Sequence, residues 1–93
     1  MKNIGVFFED RDEAIDAYRK HSQQANSLAR EFGTVKVNPA EMTITTDNVR
    51  WMYYAFSNME DAFRISGIVF SGVFCEIRDR KVKDFIKSRF RLV

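Results

Sequence analysis

Ile-Ser-Gly-Ile-Val-Phe-Ser-Gly-Val-Phe-Cys-Glu-Ile, residues 65–77, is the stretch on which the fold turns. Its apolar run Val73-Phe74-Cys75 is bounded by Gly72 and Glu76. A run this short, β-branched and aromatic predicts a strand buried on both faces. Whatever precedes it has to pack beside it, and the basic segment after it has to cover one of its faces.

Downstream, residues 79–92 predict a helix with Val82, Phe85, Ile86 and Phe90 on its inner face. Arg80, Lys83, Lys87 and Arg91, spaced by three, four and four, form a basic stripe facing away from the core. Immediately upstream, residues 57–61 predict a cap for a short helix or loop ending at Phe63 or Arg64, after which Gly67 releases the chain. Before that, Met42-Thr43-Ile44-Thr45-Thr46 and residues 49–56 flank Asp47-Asn48, a two-residue turn suited to left-handed backbone, and together predict a β-hairpin. Val35-Lys36-Val37 alternates as a short strand does, and Asn38-Pro39 stops it.

At the start, Ile4-Gly5-Val6-Phe7-Phe8 reads as a short buried strand. Asp10 as N-cap, with Glu13 as its capping-box partner, opens a helix over residues 11–32. Ala14, Tyr18, His21, Ala25, Leu28 and Phe32 share one stripe of that helix, and Gly33 ends it. The pieces give one α/β domain: a small single-layer sheet of about four strands, in the order β-α-β-β-α-β-α, covered by a long N-terminal helix and a basic C-terminal helix. The first and last strands are expected to be parallel neighbours, since helical crossovers require it.

Ninety-three residues with 45% apolar content suit a single domain spanning residues 1–93 with one core. Nine Phe, three Tyr and one Trp supply much of that core, each buried ring removing roughly 150–250 Å² from water. The single cysteine, Cys75, excludes an intrachain disulfide, and its place in the apolar run predicts a buried thiol in a reducing compartment. Neither a secretory leader pattern nor an apolar run of about 20 residues is visible, so the expectation is a cytoplasmic protein with no membrane partner. Charge is uneven: residues 1–47 carry six Lys/Arg against eight Asp/Glu, or −2, and residues 48–93 nine against five, or +4. Such a basic tail suits an anionic partner, although a solvated helix face has the same pattern.

Candidate chemistry is sparse. His21, the only histidine, sits on the apolar helix stripe and reads as a satisfied or partly buried side chain. Glu76, Asp79 and Asp10 would gather at one sheet edge if the first and last strands pair, where α/β folds bind ligands, yet helix-capping acids fit the same positions. In the hairpin, alternation puts Trp51, Tyr53 and Ala55 on one face and Arg50, Met52, Tyr54 and Phe56 on the other. One face is core, and the other, if exposed, would stack bases or anchor a protein.

Residues 4–76 resemble part of the RecA-like ATPase core of phage terminase large subunits and related helicase-type motors. The matching pieces are Val6-Phe7-Phe8 with Ala14, the hairpin around Asp47-Asn48, Phe56-Ser57-Asn58 with Arg64 and Gly67, and Val73-Phe74-Cys75-Glu76. In that family a Gly-rich loop with Lys and Ser/Thr holds the phosphates, and this chain has none. Glu76 would stand for the metal-associated Asp, but Ile77 occupies the position of the catalytic Glu. The resemblance therefore implies a scaffold without ATP hydrolysis.

The expected function is that of a small non-enzymatic intracellular binding protein, of the sort a phage would encode, modulating a nucleic-acid-handling protein. Arg80, Lys83, Lys87 and Arg91 would meet an anionic surface, with Arg50, Trp51 and Tyr54 from the hairpin as an aromatic anchor. No catalytic residue, metal or cofactor is assigned. Direct binding of nucleic acid is the alternative, and a degenerate nucleotide-binding module the next. Self-association is expected to be open to any of them, because the edge strand near the hairpin lacks an obvious protective Pro or Lys.

Overall fold

The strand at the start of the chain, rather than the run at 72–75, forms the middle of the sheet. The computed structural model describes the backbone of every residue except 33, 34, 57, 58, 66 and 93, and the side chains of all of those except 28–32, 59 and 62. The order is β1 (Lys2–Phe8), α1 (Arg11–Phe32), β2 (Lys36–Asn38), β3 (Thr43–Thr45), β4 (Val49–Ala55), α2 (Met59–Arg64), β5 (Gly72–Cys75) and α3 (Arg80–Arg89). The sheet runs β2-β3-β4-β1-β5. β1 is parallel to both β4 and β5, with Val6 opposite Tyr53 on one side and Phe74 on the other, while β2, β3 and β4 pair antiparallel.

The α/β class, the long first helix, the hairpin at Asp47-Asn48 and the parallel pairing of first and last strands are therefore all present. The sheet has five strands, not about four, because the alternating segment near Val35-Lys36-Val37 pairs with β3 as a full strand, one residue later than expected. Met42 does not begin β3 but takes a left-handed conformation, φ 53°, closing the turn after Pro39, with its amide donating to the Pro39 carbonyl at 3.3 Å. Gly33, expected to end α1, lies outside the described residues, as do Ser57 and Asn58 of the expected cap and the side chains of Leu28 and Phe32 on the helix stripe.

Two cores form, one on each face of the sheet. The crossover from β1 to β4 and the one from β4 back past β1 to β5 run in opposite directions, and right-handed crossovers then put their helices on opposite faces. On one face Val6, Ile44 and Tyr53 pack under Tyr18 of α1. On the other Phe7 meets Ile65, Phe70, Val73, Ile77 and the α3 residues Val82 and Ile86. Phe7 is fully buried at the hub of that core, its ring edge-on to Phe56 at 4.7 Å, Phe70 at 5.6 Å, and Tyr54 and Phe90 at 5.8 Å.

The stretch at 65–77 needs correction. Only Gly72–Cys75 is strand, it lies at the edge of the sheet, and it is buried on one face. α1 packs over β4, β1 and β3, so β5 is left bare beside it and the Phe74 side chain stays 39% exposed. Cys75 is a free thiol and only half-buried against the Phe7 core. The expected terminal helix also stops short, at Arg89. Phe90 turns extended, and the following residues run alongside β5, where the Val73 amide donates to the Arg91 carbonyl at 2.9 Å and Val73 bridges Leu92. The outer edge of β5 is thereby covered, and the opposite edge, β2, is three residues long and carries an exposed Lys36.

Candidate functional site

α3 is held at both ends and along one side. The Asp79 carboxylate accepts from the Val82 amide at 3.1 Å as an N-cap, and the Phe90 amide donates to the Ile86 carbonyl. Val82 and Ile86, one turn apart, fix the buried side. At 100° per residue the remaining positions fall on two flanks. Arg80, Lys83 and Lys87 run along one, and Lys81, Phe85 and Arg89 along the other. The helix carries five cations, Arg80, Lys81, Lys83, Lys87 and Arg89, against Asp84 alone, a balance of +4. Among the described residues none of the five lies in an ion pair. Their charge is therefore available to an outside anion.

The second flank carries an aromatic pair that the sequence pattern did not expose. Phe63 of α2 is 53% exposed and meets the Phe85 ring at 4.8 Å, with the Arg89 guanidinium 5.7 Å above Phe85. Phe85 packs against the Phe7 core, as its place on the inner stripe predicts, and it is the contact with Phe63 that spacing does not show. The signal that would have found it is tertiary, since α2 and α3 pack against each other.

The residues proposed as aromatic anchor are not gathered on this surface. Trp51 packs on the α1 face and Tyr54 on the Phe7 face, half-buried between Phe7 and Phe56, while Arg50 stands exposed at the start of β4. A parallel strand pair covered by helices on both sides buries both its faces, so alternation separates Trp51 from Tyr54 instead of exposing one of them. Arg91 is likewise off the helix, in the segment beside β5. Arg80, Lys83 and Lys87 remain together.

At the carboxyl ends of β1 and β5 the chain turns to opposite faces of the sheet, the position where open α/β sheets hold ligands. Here Glu9 fills it. Its carboxylate accepts from the amides of Arg78, at 2.7 Å, and Asp79, and from Arg78 Nε at 3.1 Å, while Arg78 also reaches Glu13 at 3.0 Å. The Asp79 amide and then Arg78 hold the Glu9 carboxyl below its ordinary range, and the hydrogen bond to Glu9 raises Arg78 in turn. A phosphate at this point would have to displace Glu9. Asp10 and Asp79 cap their helices, Asp10 by accepting from the Asp12 amide at 3.2 Å, and Glu13 answers Arg78 rather than closing the expected capping box. Among the described residues no three His, Cys, Asp or Glu side chains converge as a metal site.

A groove of about 710 Å³ lies between α1 and the bare side of β5. His21 at its margin shares a hydrogen bond through Nδ1 with the Tyr53 hydroxyl, which accounts for a histidine on the apolar stripe. Burial, with a smaller contribution from Tyr18 nearby, pushes the Tyr53 phenol up to about 12. Among the described residues no helix is long and apolar enough to cross a membrane. No family model, curated protein or solved structure matches this chain.

Proposed function

We propose that this is a small non-enzymatic binding protein that docks through α3 onto an acidic surface of a protein partner. The observation that carries it is the set of five α3 cations without ion pairs among the described residues, set beside the exposed Phe63 ring and the partly buried Phe85 that it meets. Interfaces gain most from a desolvated aromatic or Arg anchor, and cations around it steer the encounter. Phe63 and Phe85 take the anchoring role first given to Trp51 and Tyr54. The resemblance to motor ATPases makes a nucleic-acid-handling protein the partner class to try first. Direct binding of single-stranded nucleic acid is the second reading, favoured by an exposed ring flanked by cations on which a base could stack.

Affinity capture from lysate, with and without nuclease and with Lys83→Glu/Lys87→Glu as comparison, separates the two. Protein docking predicts a nuclease-resistant set of captured proteins that the variant loses, with the melting temperature within about 2 °C of the wild type, because neither lysine lies in an ion pair among the described residues. Capture that nuclease abolishes, with oligonucleotide affinity falling linearly in log salt, assigns the surface to nucleic acid. An unchanged set of captured proteins in the variant removes α3 from the interaction.

A further inference from the structure

We propose that the groove between α1 and β5 binds a small organic cation, an alkyl- or methylammonium whose head lies on the Trp51 and Phe74 rings between Asp16 and Glu76. The site is separate from the α3 surface and does not rest on it.

The groove arises from how far α1 reaches. The helix packs chiefly over β4, β1 and β3, and the side chains that β4, β1 and β5 raise on this face, Trp51, Tyr53, Val6 and Phe74, form the floor of the groove, with Phe74 still exposed. Trp51 pairs with Ile4 and Phe74 with Val6, on opposite sides of β1, yet their rings meet over it nearly parallel, 25° apart in plane and 6.1 Å between centroids. The result is a continuous aromatic surface left accessible at Phe74. Its volume falls within the few hundred to one thousand Å³ typical of small-molecule sites, which are largely apolar with a few convergent polar groups.

Charge selects the ligand. Asp16, projecting from α1, and Glu76, at the end of β5, both line the groove, and neither side chain has a hydrogen bond or ion pair among the described residues. Arg78, the cation nearest the strand ends, is already held by Glu9 and Glu13. Among the residues that line it, three carboxylates (Glu13, Asp16, Glu76) stand against two cations (Lys20, Arg78), a balance of −1. An aromatic face attracts cations through its quadrupole, most strongly at Trp, and carboxylates at the rim favour the same sign of charge. Lys20, one turn beyond Asp16 and without an ion pair, opposes it.

Trp51 is the only tryptophan, so its fluorescence reports this groove directly. The probe is choline, compared at constant ionic strength with 3,3-dimethylbutan-1-ol, which has the same shape without the charge. We expect a saturable change with choline, with an affinity in the millimolar range appropriate to a few contacts, and none with the alcohol over the same range. Asp16→Asn and Glu76→Gln, at exposed positions, should each weaken choline about threefold to tenfold, and Lys20→Met should tighten it, with unchanged circular dichroism. Equal responses to choline and the alcohol would show an apolar groove that does not read charge and overturn the proposal. So would the absence of a choline response up to about 0.1 M, or a weakening by Lys20→Met, which would mark an anion site.

Discussion

Two side chains near the start of the chain show how much depends on single atoms. A Cβ on Gly5 would lie 2.7 Å from Cε1 of Phe7 and 3.2 Å from Cε1 of Phe70, and Phe7 cannot retreat because four rings already enclose it. Gly5→Ala should therefore cost about 1–3 kcal/mol as overpacking, measured by urea unfolding. A change within error would mean that the Phe7 ring has room to rotate aside. Glu9 supplies a pH-dependent contribution. Its folded-state pKa lies below the ordinary value of 4.5, so the stabilisation is present above that value and is lost as pH falls through the depressed one. Glu9→Gln keeps an acceptor for the amides of Arg78 and Asp79 but cannot titrate. Its melting temperature should fall less steeply than that of the wild type between about pH 5 and pH 3, and parallel curves would show that other carboxylates govern acid unfolding.

Among the elements, those with a signal contained in their own residues were legible. α1 runs from Arg11 to Phe32 as its stripe and Asp10 indicate, and Asp47-Asn48 places the hairpin turn. Lateral position is not legible: an apolar run reads the same at the centre of a sheet and at its edge, so Gly72–Cys75 reads as a fully buried strand and nothing in the sequence marks β1 as central. The cationic stripe of α3 could be read from spacing, whereas the Phe63–Phe85 contact and the groove beside Phe74 depend on elements distant in sequence. Leu92 shows the same limit. It falls at the end of the expected helix but bridges Val73 and covers the edge of β5, with its side chain on the Phe7 core. Leu92→Asp should release that segment and leave β5 open to pair with a second molecule, seen as concentration-dependent dimerisation in sedimentation. A variant that stays monomeric while losing only stability would assign Leu92 to the core alone.

At the scale of the whole molecule, β1 joins two cores that do not touch, since Val6 enters one and Phe7 the other from adjacent positions in a single strand. A sheet one strand thick transmits loss on either side, because neither helix layer retains a surface to pack on once β1 leaves its place between β4 and β5. Phe7→Ala, at a fully buried site, should cost about 3–5 kcal/mol. If β1 couples the layers, the loss will be felt equally on the far side: the unfolding transition followed by Trp51 fluorescence, on the α1 face, should shift to lower denaturant by as much as the transition followed by far-ultraviolet circular dichroism, and the two should coincide. An α1 face that kept its Trp51 transition while the α3 face unfolded earlier would make the two layers separate cooperative units. The α3 surface could then be rearranged by a partner without disturbing the groove on the opposite side.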